Sequence, residues 1–327
     1  MPPDAPGHAA PPTPDGLLDG LVIESTGSWY MVRAGEVTIP SRLPGRFRLD
    51  AVTETNPVAV GDRVRVVRGD DGTGTIESLV PRENALRRRA AGRRVGVDAV
   101  IAANVDRAWV VQSASMPALN PGLVDRFLVA AEREEIPAGI VVNKTDLALT
   151  DEAVAAALAA FVGRYRGIGY PVVETSAETG AGVDAWREAL RDRVSVVSGP
   201  SGVGKSSLLN AAAPGLALRT GAVSARTKKG KHTTTNAVLH ALPFGGYVVD
   251  TPGIREFGVV DVSPEDLGFY FIEFKPHIGA CRFQPCTHDH EPDCAVMAAL
   301  DEGAISEVRY DSYLSILDSI RLGDRGR

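Results

Sequence analysis

Cysteine is scarce. The 327-residue chain has three, all between Cys281 and Cys294. So sparse and local a set is not a disulfide framework, and it fits a reducing compartment, the cytoplasm. Long apolar runs are missing too, and none reaches the roughly 20 residues that cross a bilayer. The opening Met1-Pro2-Pro3-Asp4-Ala5-Pro6 has neither a basic start nor an apolar core, which speaks against a secretory signal. Residues 1–16, rich in Pro and Ala, are expected to form a disordered tail. There is no excess of positive charge. A net charge of −6 excludes a surface coated in basic groups, yet leaves local patches free to meet RNA. Two such patches exist: Arg87, Arg88 and Arg89 with Arg93 and Arg94, and Arg226, Lys228, Lys229 and Lys231. Hydrophobic residues make up 44%, enough for packed cores, and the length suggests two or three domains.

What is present begins with Gly199-Pro200-Ser201-Gly202-Val203-Gly204-Lys205-Ser206, which fits G-x-x-x-x-G-K-[ST]. An apolar run, Val194 to Val197, precedes it, and a helix-compatible stretch starting at Ser207 follows. Strand, glycine loop and helix in that order form a phosphate cradle. Backbone N–H groups point at phosphate oxygens, Lys205 can reach the outer phosphates, and Ser206 can place its hydroxyl on magnesium. Asn143-Lys144-Thr145-Asp146 follows another apolar run, Ile140 to Val142. A carboxylate at Asp146 can accept two hydrogen bonds from guanine, and adenine lacks that donor pair. Asn143 can tie neighbouring loops together, and the aliphatic stem of Lys144 can cover a face of the base. Downstream, Ser176-Ala177 offers a backbone N–H, that of Ala177, for the guanine carbonyl. Asp250-Thr251-Pro252-Gly253 follows the strand-like Tyr247 to Val249. There Asp250 would hold magnesium through a water, and the Gly253 amide would sense the γ-phosphate. Between these motifs lies His232-Thr233-Thr234-Thr235. One of the threonines can supply a second hydroxyl to magnesium. Spacing does not discriminate among Thr233, Thr234 and Thr235, and Thr234 is the favoured ligand.

The guanine-reading segments precede the phosphate loop, the reverse of the usual small GTPase, so the domain is circularly permuted. Chain ends can move to exposed loops without changing a core. The segment after Asp250 then leads directly into the C-terminal region. From Ala99 to Gly258 strands alternate with helices, expected at Leu123–Glu134, Asp151–Val162 and Val183–Asp192. That alternation argues for a mainly parallel, doubly wound α/β sheet with its ligand at the strand C-termini. Residues 17–82 read as several short strands, a pattern that suits an oligonucleotide-binding (OB) type barrel or a closely related small barrel. Residues 83–97 read as a basic linker. Cys281, Cys286, His288 and Cys294 supply three thiolates and one imidazole, a set suited to one tetrahedral, structural zinc. A helix is expected from Ala304 to Ile320.

The chain resembles the circularly permuted bacterial family called ribosome small subunit-dependent GTPase A. The resemblance runs from about Leu21 to about Leu317. It rests on Asn104-Val105-Asp106, Asn143 to Asp146, Gly199 to Ser207, Gly230 to Thr235, Asp250 to Ile254 and the cysteine cluster. It supports the OB-type barrel over residues 17–82, a permuted GTPase domain over 98–260 and a zinc-binding helical domain over 261–327. It favours His288 over His290 as the fourth zinc ligand. It implies a late-stage maturation factor that binds GTP and GDP with magnesium, docks on the small ribosomal subunit and its rRNA, and hydrolyses GTP when that subunit stimulates it. A cytoplasmic monomer without membrane contact is expected. Ile254 stands where Ras-type proteins carry a water-orienting glutamine, so hydrolysis by the chain alone should be slow, and His232 is the candidate replacement. Two other readings remain: a non-catalytic GTP-dependent RNA-binding module, and a permuted GTPase acting on the large subunit.

Overall fold

A computed structural model describes residues 16–45, 57–89, 98–216, 237–250 and 262–325. They fall into two compact units. The first draws on residues 1–106, 190–196 and 224–253, the second on 107–189, 197–223 and 254–327.

In the first unit, five strands come first along the chain: β1 (Leu17–Ser25), β2 (Tyr30–Ala34), β3 (Val37–Arg42), β4 (Arg63–Arg68) and β5 (Gly74–Leu79). β4 shows why. Val64 and Val66 are buried while Arg63 and Arg65 face water, the two-residue period of a half-buried strand. The strands neighbour one another as β1-β2-β3-β5-β4, and β4 returns to β1, pairing Leu17 with Val67 and Leu21 with Arg63. Within its pairing with β2 the register of β1 shifts between Val22 and Glu24, a bulge that locally increases the bend of the strand. Closure in this order is that of an OB-type barrel, and it decides between the small barrels that the sequence left open. Val22, Val32, Val58, Val64, Val66 and Ile76 fill the interior.

The segment 83–97, expected as a basic linker, opens instead as a strand. β6 (Ala85–Arg89) pairs antiparallel with β7 (Asp98–Ala103). Ala85 and Leu86 are buried, and that apolar burial favours the strand over a solvated linker. Residues 90–97, with Arg93 and Arg94, lie outside the described residues. Asn104 and Asp106 prove to be ties. The Asn104 amide donates to the Gly61 carbonyl at 2.9 Å and its oxygen accepts from the Glu83 N–H at 2.9 Å. Asp106 accepts from the Val194 N–H at 2.7 Å. That bond holds the start of β11 (Val194–Ser198), which runs parallel to β13 (Tyr247–Asp250). β12 (Val238–Ala241) lies antiparallel to β13 and meets β1 where Glu24 pairs with Val238.

The second unit holds three parallel strands in the spatial order β10-β9-β8: β8 (Arg107–Ser113), β9 (Ala138–Asn143) and β10 (Val172–Glu174). Every residue of β9 is buried, as a parallel strand covered on both faces requires. Helix α1 (Pro121–Arg133) starts two residues before the expected Leu123. The Asn120 side chain accepts from the Leu123 N–H and Pro121 takes the first helical position, where its missing N–H costs nothing. Helix α2 (Glu152–Ile168) runs past the expected end at Val162. Gly163 and Gly167 sit inside it, and Gly169, at φ 112°, terminates it with its N–H on the Tyr165 carbonyl. Helix α3 (Val183–Leu190) sets Trp186 edge-on against Trp109, centroids 5.2 Å apart. Helix α4 (Lys205–Ala212) follows the glycine loop.

Toward the C-terminus come the short helices α5 (Lys275–Ile278) and α6 (Ala295–Asp301) and the long α7 (Glu307–Arg325). α7 begins three residues later and ends five residues later than expected, and Ile305 is buried in the turn before it. Its inner face is Arg309, Tyr310, Tyr313, Ile316 and Leu317, spaced at helical intervals and packed with Val129 of α1 into one core. Among the described residues, no helix is long and apolar enough to cross a membrane.

Candidate functional site

The second unit brings the guanine-type motif and the glycine loop together. Asn143, the last residue of buried β9, donates its side-chain amide to the Val203 carbonyl at 2.9 Å. Its side-chain oxygen accepts from the Ala177 N–H at 3.1 Å. One asparagine thus joins the ends of two strands to the loop, the tying role that the sequence assigns to it. Gly204, at φ 88°, lies so close to the Asn143 amide that a Cβ there would collide with it. Gly199, where the loop leaves β11, passes just as closely by the Val111 carbonyl of β8. Both glycines are needed for close approach, and Gly204 also for its left-handed backbone.

Lys144 takes a left-handed conformation, φ 61° and ψ 37°, which turns the chain sharply into the 3-10 turn Thr145–Leu149. Its ammonium donates to the Met116 carbonyl, and its stem passes within 4.0 Å of the Cβ position of Gly204. Thr145 donates both its N–H and its hydroxyl to the Thr175 carbonyl, each at 3.1 Å. Asp146 accepts from the Ser176 hydroxyl at 2.5 Å, which fixes the orientation of its carboxylate. The Ala177 N–H, expected to meet a guanine carbonyl, here serves Asn143.

In the loop itself, Val203 is fully buried and anchors it, while Ser201 and Gly202 are exposed. The Lys205 ammonium folds back over the loop onto the carbonyls of Gly199 at 2.7 Å and Pro200 at 2.9 Å. A phosphate would be a stronger partner than either neutral carbonyl, since both ends of the bond would then be charged. Ser206 and Ser207 occupy the first turn of α4. Asp250 ends β13 in the first unit. His232, Thr233, Thr234, Thr235, Gly253 and Ile254 lie outside the described residues, as do Arg226, Lys228, Lys229 and Lys231.

Cys281, Cys286, His288 and Cys294 converge in the second unit, all four buried, with their ligand atoms within 4.8 Å of one another. The Sγ atoms of Cys281 and Cys294 are 3.9 Å apart and those of Cys286 and Cys294 3.8 Å. His288 Nδ1 lies 3.6 Å from Cys281 Sγ and 3.4 Å from Cys294 Sγ. Sulfurs around a tetrahedral zinc at about 2.3 Å stand about 3.8 Å apart, so the donor set fits that ion. Burial pushes the Cys286 thiol up to about 12, and it raises Cys294 as well. Burial also lowers His288, which keeps a ring nitrogen free to bind a cation. Four such groups facing one another are best satisfied by a divalent cation that converts thiols to thiolates. Second contacts hold this arrangement in place. Tyr310 donates to the His288 carbonyl at 2.7 Å, and Glu291 accepts from the N–H and hydroxyl of Thr287, each at 2.7 Å. All four ligand atoms are enclosed by protein, which suits a structural ion.

Sequence reasoning missed the β8–α1 loop. Ala114 to Asn120 borders the site through the Met116 carbonyl on Lys144, and through Pro117, which lies 3.7 Å from the Cβ position of Gly202. No motif marks this loop, because it contributes a backbone carbonyl and a ring edge rather than a distinctive side chain.

Comparison with known proteins agrees with this geometry. The sequence model of the RsgA GTPase family matches residues 79–260, and that of the RsgA N-terminal domain matches residues 19–76. A relative from Bacteroides fragilis named Small ribosomal subunit biogenesis GTPase RsgA is 43% identical over 302 residues, covering 92% of this chain and 96% of the relative. A relative of the same name from Gemmatimonas aurantiaca is 42% identical over 304 residues, covering 92% and 97%. Among solved structures, YjeQ from Thermotoga maritima is similar with a TM-score of 0.78 and 37% identity, over 93% of this chain and 98% of that one. YloQ, described as a circularly permuted GTPase, is similar with a TM-score of 0.74 and 31% identity, over 94% and 96%.

Proposed function

Since the chain belongs to the RsgA GTPase family, we propose that it hydrolyses GTP to GDP and phosphate during biogenesis of the small ribosomal subunit. It would act late, binding the subunit with GTP and leaving after hydrolysis, and the subunit would stimulate turnover. The observation that carries the nucleotide reading is the Asn143 amide bonded to the Val203 carbonyl, which sets the base-reading segment against the phosphate loop.

In this reading Asp146, aimed by Ser176, accepts the paired donors of guanine, and the stem of Lys144 covers one face of the base. A guanine carbonyl would compete with Asn143 for the Ala177 N–H. The backbone amides from Pro200 to Ser206 surround the phosphates, helped by the N-terminus of α4. Lys205 exchanges its loop carbonyls for phosphate oxygens and neutralises charge on the transferring group. The Ser206 and Thr234 hydroxyls would hold magnesium, with Asp250 acting through a water and Gly253 sensing the γ-phosphate. Magnesium supplies charge neutralisation at the phosphates. Ile254 cannot orient water, so docking would have to complete the site, with His232 as the candidate group. Zinc held by Cys281, Cys286, His288 and Cys294 would be structural. The OB-type barrel and the zinc module would contact rRNA, with the protein monomeric and cytoplasmic.

The test combines co-sedimentation with each purified ribosomal subunit, in GDP and in a non-hydrolysable GTP analogue, with a separate measurement of phosphate release. The expected result is analogue-dependent binding to the small subunit and multiple-turnover release stimulated by it. Equal binding in both nucleotides without added turnover would favour the non-catalytic module, and binding to the large subunit alone would overturn the assignment. Asp146→Asn should weaken GTP binding by about two orders of magnitude and leave the poor affinity for ATP unchanged.

A further inference from the structure

Arg309 is fully buried on the inner face of α7, yet it carries a charge. Its guanidinium grips Glu273 with two bonds, Nε to Oε1 at 2.6 Å and Nη2 to Oε2 at 3.0 Å, and lies 4.5 Å above the Phe271 ring. Its Nη1 donates at 2.5 Å to Asp125 of α1, which is also fully buried. The same Asp125 oxygen accepts from the Tyr165 hydroxyl at 2.6 Å, while the other oxygen has no partner. A buried carboxylate satisfied on one oxygen depends on the one cation beside it. Further contacts join α1 to the C-terminal module, among them Arg126 to Ser319 at 3.1 Å and to the Ser315 carbonyl at 3.3 Å, Lys275 to Glu132 at 3.3 Å, and Val129 in the shared core. The module therefore sets the position of α1.

The N-terminus of α1 carries the loop beside the candidate nucleotide site. Asn120 caps the helix, and its own N–H donates to Gln112 of β8 at 3.2 Å. Ser113 donates to the Met116 carbonyl at 3.3 Å, the same carbonyl that receives the Lys144 ammonium. A continuous set of bonds thus runs from the module through Arg309, Asp125 and α1 to Met116 and Lys144.

We propose that Arg309 is a positioning residue for guanine-nucleotide retention. By fixing α1 it holds the Met116 carbonyl on Lys144, so that docking or distortion of the C-terminal module changes the rate of nucleotide release. The inference rests on the guanine-nucleotide reading above and adds a route by which a bound partner controls exchange.

The test measures release of a fluorescent GDP analogue from the full chain, together with zinc content and the melting temperature with and without GDP. Arg309→Lys keeps the charge but loses the fork. It is expected to speed release about tenfold, within the ordinary range of coupling between sites, and to shrink the GDP-induced rise in melting temperature, with zinc retained. Arg126→Ala loosens the same helix pair from an exposed position. It should speed release about threefold, and it decides the question if the lysine variant does not fold. Release at the wild-type rate, with only a lower melting temperature, overturns the inference and makes the network purely structural. A wild-type chain that binds no GDP analogue overturns the nucleotide reading itself, and this inference falls with it.

Discussion

The barrel and the C-terminal module hold themselves together differently. The barrel interior is built from small aliphatic side chains on alternating positions, Val22, Val32, Val64, Val66 and Ile76 among them. Its stabilisation is spread over many similar contacts, each replaceable in part by its neighbours. The C-terminal module instead concentrates its stabilisation in a few groups that must all be present. Three thiols and an imidazole face one another, a charged arginine lies buried, and Phe271, Phe274 and Tyr313 pack with centroids 5.0 to 5.3 Å apart. A core of the first kind fails gradually, and one of the second kind fails as a unit.

Removing metal should separate the two regions most widely. Chelation at neutral pH is expected to abolish hydrogen-exchange protection across residues 262–325, because structural zinc contributes on the order of 10 kcal/mol, while residues 17–79 stay protected. Equal loss of protection in both regions would contradict the contrast. Next comes Arg309→Met, expected to lower stability in chemical denaturation by about 3–5 kcal/mol, because it leaves Asp125 and Glu273 without their buried cation. Pairing it with Asp125→Asn should recover part of that loss. Within the barrel, Ile76→Val removes one buried methylene and should cost only about 0.5–1.5 kcal/mol.

The smallest expected effect is a pH dependence confined to the module. Burial alone would raise the Glu291 carboxyl, but hydrogen bonds from the Thr287 hydroxyl and from the backbone of Thr287 and Asp289 outweigh it and hold the group well below the usual carboxylate range. A depressed folded-state value means that this contribution is complete above the unfolded value of about 4.3 and is lost as pH falls toward the folded one. Glu291→Gln should therefore lower stability at neutrality and flatten the acid side of the profile below about pH 4, where the native protein loses the same contribution. An unchanged acid limb would show that Glu291 does not tune the module.

The parts of the molecule that could be read in advance share one property. The phosphate loop is a run of consecutive residues whose glycines are dictated by local backbone geometry, and its strand and helix neighbours show their own periodicity. The cysteine cluster was equally legible, since its donors are rare residue types close together in the chain. Helix ends were harder. The helix expected to end at Val162 continues through Gly163, since an interior glycine costs only about 1 kcal/mol, and Gly169 ends α2 by taking the left-handed conformation. The basic segment after Pro81 hid β6, whose pairing partner β7 supplies the edge that a charge run by itself does not reveal.

The amino-acid order by itself determined that the Asn143–Asp146 segment comes before the glycine loop, and which four side chains can hold a metal. Only the tertiary structure decided that the small barrel closes in OB order, that Asn143 fastens the end of β9 to Val203, and that Arg309 is interior rather than a surface charge. The reason is separation along the chain. Local motifs are fixed by the conformations of neighbouring residues. A bond such as Arg309 to Asp125 joins residues 184 positions apart, and it exists because two helices pack together and bury the two charges side by side.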